Sequence, residues 1–315
     1  MRESNARTRD EGTVVSTSDG TWLVTGASGC IGAWTVVTLL REGTNVVAFN
    51  RSKDDHRLRL IASTSELEQV SFVRGDITQL EALERVLVEH AVTHVIHLAG
   101  LQAPFCKADP PLGAEVNVTG TVNVLEAAKR TNIPTPVVYA SSAAVYGEKV
   151  GEMAPKTIYG VYKIANEGSA RIYWQDDRVP SVGLRPFVVY GPGRDQGMTA
   201  SPTEAMAAAA RGESFKIPFG GRMQFQYAPD VARAFIAAAR RPPSGAEVFN
   251  IGGPVVAMAE IVSAIQAAVP DAEISFDDVR LPFAEQLPPP LFDLSHTELA
   301  EGVNETVATF RRGLR

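Results

Sequence analysis

Cysteine is almost missing from this chain of 315 residues: Cys30 and Cys106 are the only two, with no Cys-x-x-Cys spacing and no histidine at metal-ligand distance from them. A disulfide scaffold, a thiol redox motif and a zinc site are therefore not indicated, no metal is expected, and a reducing cytoplasm is the default compartment. Long apolar runs are missing too. No stretch of about 18 apolar residues occurs, so no membrane span is expected. Cationic excess is absent: 30 Lys plus Arg stand against 36 Asp plus Glu, a formal net charge of -6, which leaves no footprint for a phosphate backbone and makes nucleic acid an unexpected partner. Residues 1–20 lack the apolar core of a secretory signal, and Glu3, Asp10 and Glu11 argue against a transit peptide, leaving a solvated tail.

What is present is an ordinary globular mixture, 45% hydrophobic and 21% charged. TWLVTG (21–26) and NVVAFN (45–50) read as buried strands with the helix IGAWTVVTLLREG between them, one βαβ unit. VSFVRGD (70–76), HVIHLAG (94–100), PVVYASS (136–142) and SVGLRPFVVYG (181–191) continue the strands. LEALERVLVEH (80–90), VTGTVNVLEAAKR (118–130) and YGVYKIANEGSARIYW (159–174) continue the helices. Strands apolar along their whole length belong to a parallel sheet covered on both faces. The expected fold is therefore α/β, a Rossmann-type doubly wound parallel sheet.

Beyond Gly191 the rhythm changes to an Ala-rich helix at 203–211, FKIPFGG, the helix DVARAFIAAARR, VFNIGGP, a helix at 257–268, a Pro-rich stretch and a last helix at 295–301. The expected division is a flexible tail over 1–20, a dinucleotide-binding domain over 21–190, and a small discontinuous substrate lobe over 191–315. Segments at about 228–252 of that lobe return to the first domain.

The first strand runs straight into Gly26, Gly29 and Gly32, spaced Gly-x-x-Gly-x-x-Gly, with a helix following. The first glycine permits the tight turn, the second lets backbone approach a pyrophosphate, and the third lets helix pack on strand. The helix start offers free N–H groups and a partial positive charge to the diphosphate. At the end of the second strand, where an acidic residue would accept from the adenosine ribose diol, stand Asn50, Arg51 and Ser52. An amide beside a guanidinium favours a 2′-phosphate, which points to NADP, with NAD still accepted through Asn50. Asp76 is a candidate for the adenine amino group.

Tyr159 and Lys163, four apart on a helix, share one face. An ammonium beside a phenol lowers the phenol pKa from about 10 toward the working range, so Tyr159 is the candidate general acid/base and Lys163 its partner, also reaching the cofactor ribose. Ser142, at the carboxyl edge of the preceding strand, would hold the substrate oxygen, while Ser141 is expected to be structural. His94 and His97 sit an odd number apart on one strand and face opposite sides, which argues against a shared metal.

Taken together, TGASGCIG, GDIT, HLAG, NVTGTVNVLEAA, SSAAVYG, YGVYK and LRPFVVYGPG resemble the extended short-chain dehydrogenases/reductases of the NAD(P)-dependent epimerase/dehydratase group, over about residues 21–250. The resemblance implies Ser142, Tyr159 and Lys163 as the catalytic set, Asn117 as a structural or proton-relay position, and frequently a homodimer through a four-helix interface. It carries the cofactor contacts onto Ser28, Cys30 and Ile31 of the loop, onto Ile77, and onto Leu98, Ala99 and Gly100. Pro186 and Val188 complete that set, and Gln102, Ser142, Ala143, Arg194 and Arg222 are the candidate substrate contacts.

Departures from the family narrow the chemistry. Dehydratases of the group carry an acidic pair just after the Ser/Thr; here Ala143 and Ala144 stand there, so dehydration is disfavoured. Nucleotide-sugar enzymes tend to place an arginine before the segment matching FQYAPDVARA; here Met223 falls at that position, with Arg222 adjacent. Only 16 residues separate Ser142 from Tyr159, which trims the loop over a bulky substrate. Polar Asp195, Gln196, Thr199 and Gln224, with aromatic Phe219, Phe225 and Tyr227, are further candidates for the substrate wall.

The sequence thus leads to an NAD(P)-dependent oxidoreductase moving hydride at a secondary hydroxyl or ketone of a sugar, polyol or sugar acid. The alternative is an NAD-dependent sugar or nucleotide-sugar epimerase, which shares every catalytic residue. A non-catalytic NADP-binding regulator is a minor alternative, disfavoured because Tyr159 and Lys163 are both present.

Overall fold

A computed structural model describes residues 20–313; the expected tail at 1–19 lies outside them. The strands are β1 (Thr21–Thr25), β2 (Asn45–Asn50), β3 (Ser71–Arg74), β4 (Val92–His97), β5 (Val137–Ala140), β6 (Ser181–Arg185), β7 (Val188–Tyr190), β8 (Phe215–Ile217), β9 (Arg222–Tyr227), β10 (Ala246–Ile251), β11 (Val255–Ala257), β12 (Ile274–Phe276) and β13 (Leu291–Phe292). The α-helices are α1 (Cys30–Arg41), α2 (His56–Ile61), α3 (Thr64–Leu67), α4 (Leu80–Glu89), α5 (Ala103–Ala108), α6 (Pro110–Ala114), α7 (Gly120–Arg130), α8 (Ile158–Asp177), α9 (Ser201–Arg211), α10 (Ala228–Ala239), α11 (Met258–Ala268) and α12 (Leu299–Gly313).

Eight strands form one sheet in the order β13-β10-β6-β5-β4-β1-β2-β3, all paired in parallel. Alternation along each strand fills both faces. Trp22 and Val24 of β1, with Val46 and Ala48 of β2, join a core with Val36 and Val37 of α1 and Val231 and Phe235 of α10. The intervening Leu23, Val47 and Phe49 pack with Leu83 and Val86 of α4 and Val124 and Leu125 of α7 on the other side. Each large apolar side chain among them contributes about 1.5–3 kcal/mol of burial, which is why the central strands carry no polar face; β3, at the sheet edge, is mostly exposed. Strand order reverses between β1 and β4, and ligands in such sheets bind in the crevice beyond the carboxyl ends at that point.

A second core gathers Tyr190, Met206, Ile217, Phe225, Ile261 and Val307, from β7, α9, β8, β9, α11 and α12. A three-stranded sheet, β11-β9-β7, and a two-stranded one, β12-β8, carry it. The last helix runs over Leu299–Gly313 rather than 295–301. Gly302 does not stop it: the glycine gives room to the Tyr190 hydroxyl, which would lie 2.2 Å from a β-carbon there.

Candidate active site

The glycine turn is shaped by contacts that only glycine permits. Gly26 has φ of 68°, and a β-carbon on it would meet the Ala99 backbone nitrogen at 2.6 Å. On Gly32 a β-carbon would stand 2.1 Å from the Gly26 carbonyl oxygen, so α1 packs against the turn with no space to spare. The start of α1, capped by the Gly29 backbone, opens into a groove lined by Ser28, Cys30, Asn50, Arg51 and Ser52, with Asp76 and Ile77 opposite and Leu98, Ala99 and Gly100 along its floor. A dinucleotide fits this cradle: side chains are missing where a pyrophosphate would lie.

At the ribose end, Asn50 Oδ1 accepts from both the backbone N–H and the hydroxyl of Ser28, at 3.1 and 3.3 Å. Its amide nitrogen is what Asn50 has left to offer, a donor rather than an acceptor. Asp76 Oδ1 accepts from the backbone and hydroxyl of Thr78, at 3.0 and 2.9 Å. Cys30 is held as a thiol, its pKa pushed up to about 11 by burial.

A second cleft continues from the first and contains Ser142, Tyr159 and Lys163 together. Thr157 caps α8 by accepting from the Gly160 N–H at 3.1 Å, which fixes the helix start. Gly160 in turn sits where a β-carbon would lie 2.1 Å from the Ala144 carbonyl oxygen, bringing the first turn of α8 onto the end of β5. Lys163 Nζ donates to the Ala140 carbonyl at 2.7 Å and lies 5.4 Å from the centre of the Tyr159 ring.

Burial pushes the Tyr159 phenol upward, while the hydrogen bond with Ser142 and the charge of Arg194 pull it back only in part. The expected lowering by Lys163 is therefore not the dominant influence in the protein alone. Lys163 itself is drawn down to about 8 by burial, against the opposing charges of Cys106 and Glu167. Asn117 lies in a π-helical turn over Glu115–Thr119. Its amide donates to the carbonyls of Leu101 and Gly113, and its Oδ1 is buried without a partner.

Of the candidate substrate contacts, Gln102, Ala143 and Arg194 line this cleft beside Pro186 and Val188. Arg222 does not. Its guanidinium is about half exposed and pairs loosely with Glu260 and Glu285, at 3.9 and 3.8 Å. Met223 is buried in the second core, as are Phe219, Phe225 and Tyr227; Phe225 stacks on Tyr190 at 4.0 Å. Gln224 is spent on the Gly253 carbonyl and the Leu287 N–H.

The aromatic wall consists instead of Phe187 and Phe283, packed edge to face at 5.0 Å, with Tyr146, and the thioether of Met198 lines the same cleft. Phe187 follows a recognised motif residue, Pro186, whereas Phe283 gave no periodic signal. Among the described residues of this cleft, Lys156, Lys163 and Arg194 are charged and none is acidic. His97, bonded to Thr25 and Thr121 and driven down to about 3 by burial, stays neutral on the far side of β4 from His94, which stacks on Trp22.

The loop from Gly191 to Thr199 spans the two clefts. Trp34 donates to the Pro192 carbonyl at 2.9 Å. Arg57 of α2 forks onto Asp195, at 2.6 and 3.0 Å, and also donates to the Ser28 carbonyl at 3.1 Å. His56 bridges Asp195 and Asp54 at 2.9 and 2.7 Å. Burial opposes the Asp195 carboxylate, yet these bonds hold its pKa below the ordinary value.

A doubly wound sheet, a glycine cradle at its switch point and a Tyr/Lys pair with the lysine buried at the neighbouring strand end define a dinucleotide-dependent enzyme of the short-chain dehydrogenase/reductase type. Residues 22–252 match the model of the NAD dependent epimerase/dehydratase family, and the chain belongs to that family. It is 31% identical over 277 residues to UDP-glucuronate 4-epimerase 4 of Arabidopsis thaliana, covering 79% of this chain and 62% of that protein. With UDP-glucose 4-epimerase of Mycolicibacterium smegmatis it shares 30% identity over 92% of this chain and 98% of that one. A solved UDP-glucose 4-epimerase of Thermus thermophilus, in complex with NAD, superposes with a TM-score of 0.71 at 26% identity, over 92% of this chain and 99% of that chain. The chain thus spans less than two thirds of the length of the plant relative.

Proposed function

We propose that the protein is an NAD-dependent 4-epimerase of an anionic sugar, a nucleotide sugar or a uronic acid derivative. In this reading Tyr159 takes the proton from a ring hydroxyl held by Ser142, and the resulting ketone turns over in the cleft. Tyr159 then returns the proton as the opposite face is reduced. NAD, when bound, would supply the hydride acceptor and donor, while Arg194 pulls the phenol down. Lys163 is assigned to the cofactor ribose. Arg194 and Lys156 are assigned to the anionic group, in a cleft whose described lining carries no carboxylate. The Phe187–Phe283 pair is assigned to the sugar face. A homodimer belongs to the same reading, supported by apolar Val161 and Ile172 left exposed on α8.

The observation that carries epimerisation over net redox is the bridge of Asp195 to Arg57 and His56 across the cofactor groove. A cofactor that ends each turnover as it began has no need to leave, and a closed groove suits it. The test is to incubate purified protein with UDP-glucuronate or UDP-glucose and follow the 4-position by NMR while recording reduced cofactor. Interconversion without accumulating NADH supports the reading; product and NADH formed in equal amounts overturn it.

A second reading, net oxidation or reduction with NADP, is favoured by one feature. Asn50 turns a donor to the ribose end and Arg51 is exposed beside it, a pairing suited to a 2′-phosphate. Under this reading the substrate is a small sugar or sugar acid, because Met223 and Arg222 offer no diphosphate clamp.

A further inference from the structure

Outside the reacting set lies a buried ion pair that the proposed chemistry does not use. Glu167 and Arg185 have side chains only 10% and 12% exposed. Arg185 donates to both Glu167 oxygens, at 2.7 and 2.6 Å. Ser141 Oγ donates to the same carboxylate at 2.5 Å. A third guanidinium bond reaches the Tyr146 hydroxyl at 2.5 Å, and Tyr146 is held from the other side by Asn250, whose amide also donates to the Pro288 carbonyl.

The pattern is a register. Tyr159, Lys163 and Glu167 follow at intervals of four along α8 and form one stripe. Three consecutive residues at and just beyond the end of β5 meet that stripe: the Ala140 carbonyl accepts from Lys163, the Ser141 hydroxyl donates to Glu167, and Ser142 shares the cleft with Tyr159. Arg185, at the end of the adjoining strand β6, locks the lowest rung. Its strand is joined to the same corner by the Ser141 N–H, which donates to the Leu184 carbonyl at 2.8 Å.

We infer that Glu167 and Arg185 are positioning residues, a buried pair that sets the height of α8 against the end of β5 and so fixes Tyr159 and Lys163 relative to Ser142. The same pair, through Tyr146, ties that setting to the wall of the substrate cleft. Isolated burial of two charges is seldom a source of stability, since desolvation offsets attraction; an apolar contact would serve packing alone at least as well. Glu167 also supplies a negative charge one turn from Lys163, whose other ionisable neighbours are Tyr159 on the same helix, Cys106 on α5 and His97 on β4.

This inference rests on the assignment of Tyr159 and Lys163 made above, and its test separates the two. The probes are NADH affinity against pH, measured by cofactor fluorescence without any substrate, and kcat and KM on whichever sugar is turned over. Lys163 holds ribose only as the ammonium, so NADH affinity falls on the alkaline side. Glu167→Gln moves that fall to lower pH, and Glu167→Asp, which keeps the charge, restores it.

Ser141→Ala leaves the ion pair intact and provides a variant that folds if Glu167→Gln does not. It leaves the alkaline fall in place and lowers kcat about tenfold with KM unchanged, because only the strand-to-helix tie is cut. Variants that lose melting temperature while both the alkaline fall and kcat stay as in the parent overturn the inference. Tyr159→Phe is run alongside: retained turnover there overturns the acid/base assignment without touching the pH arm.

Discussion

Asp195 and Arg57 lie 138 positions apart in the chain, and their side chains meet at 2.6 Å across the mouth of the cofactor groove. The contact joins the loop after Gly191 to the short helix that follows the adenosine strand. Because Arg57 also holds the Ser28 carbonyl, the bridge rests on the glycine turn itself. If this contact retains a bound dinucleotide, weakening it should speed cofactor release.

Asp195→Asn is expected to speed the release of bound NADH. The pair is part-exposed, with Asp195 at 43% and Arg57 at 13%, so its contribution is discounted to about 1 kcal/mol, which is roughly a fivefold faster off-rate. Stopped-flow displacement of NADH by excess NAD measures it. An unchanged off-rate would remove the bridge from the account of cofactor retention.

The bridge should also weaken with rising pH. Hydrogen bonds to Asp195 and then Asp54 raise the His56 pKa above its ordinary 6.5. A group raised in the folded state contributes fully below its unfolded pKa and loses that contribution as pH climbs through the folded one. Release is thus expected to be slower at pH 6 than at pH 8.5, and His56→Ala should flatten the difference. Arg57 keeps its own bonds to Asp195, so the change is partial.

Removing the Tyr159 hydroxyl tests the chemistry itself. Tyr159→Phe deletes the proton-transfer group and leaves the ring, Lys163 and the cradle in place. Turnover should fall by about 10²- to 10⁴-fold, with NADH affinity changed little. Retention of more than about a tenth of the rate would sink the assignment.

Much of this site was legible locally. The glycine turn, the four-residue spacing of Tyr159 and Lys163, and Ser142 at a strand end are short-range patterns, and each stands where the period of the chain placed it. The substrate wall was not legible. Phe225 and Tyr227 looked like sugar platforms, yet β9 is a central strand of the small sheet and both rings are taken by Tyr190. Phe283, in a stretch rich in proline, became wall only because the chain returns there from far away. The bridge of Asp195 to His56 and Arg57 and the pair Glu167–Arg185 are long-range charge contacts, and no spacing rule reports them. The last helix was ended too early because Gly302 reads as a stop when only local propensity is considered, and it begins at Leu299, four residues later than expected.

Gly32→Ala carries the sharpest steric forecast. The added carbon would stand 2.1 Å from the Gly26 carbonyl oxygen and 2.9 Å from the Ala27 α-carbon, both backbone atoms that cannot swing aside. The start of α1 must move off the turn, so dinucleotide affinity should fall by at least about tenfold. The substitution should also cost stability, since Ala33 and Val36 beside it are core residues. Calorimetric titration with NADH and thermal melting check the two effects.

Arg51→Ala decides between the cofactors. If a 2′-phosphate is read by that guanidinium, a charge-assisted bond of about 1.5–3 kcal/mol is lost and NADPH binds about 10- to 100-fold more weakly, while NADH is spared. Equal loss for both would mean that Arg51 stacks on the adenine instead. The result bears on the reaction as well as on the cofactor. A protein that binds NADPH through Arg51 joins the net-redox reading, in which reduced cofactor is consumed and replaced. One that is indifferent to the 2′-phosphate leaves the closed groove, and the epimerisation it suits, as the account of this site.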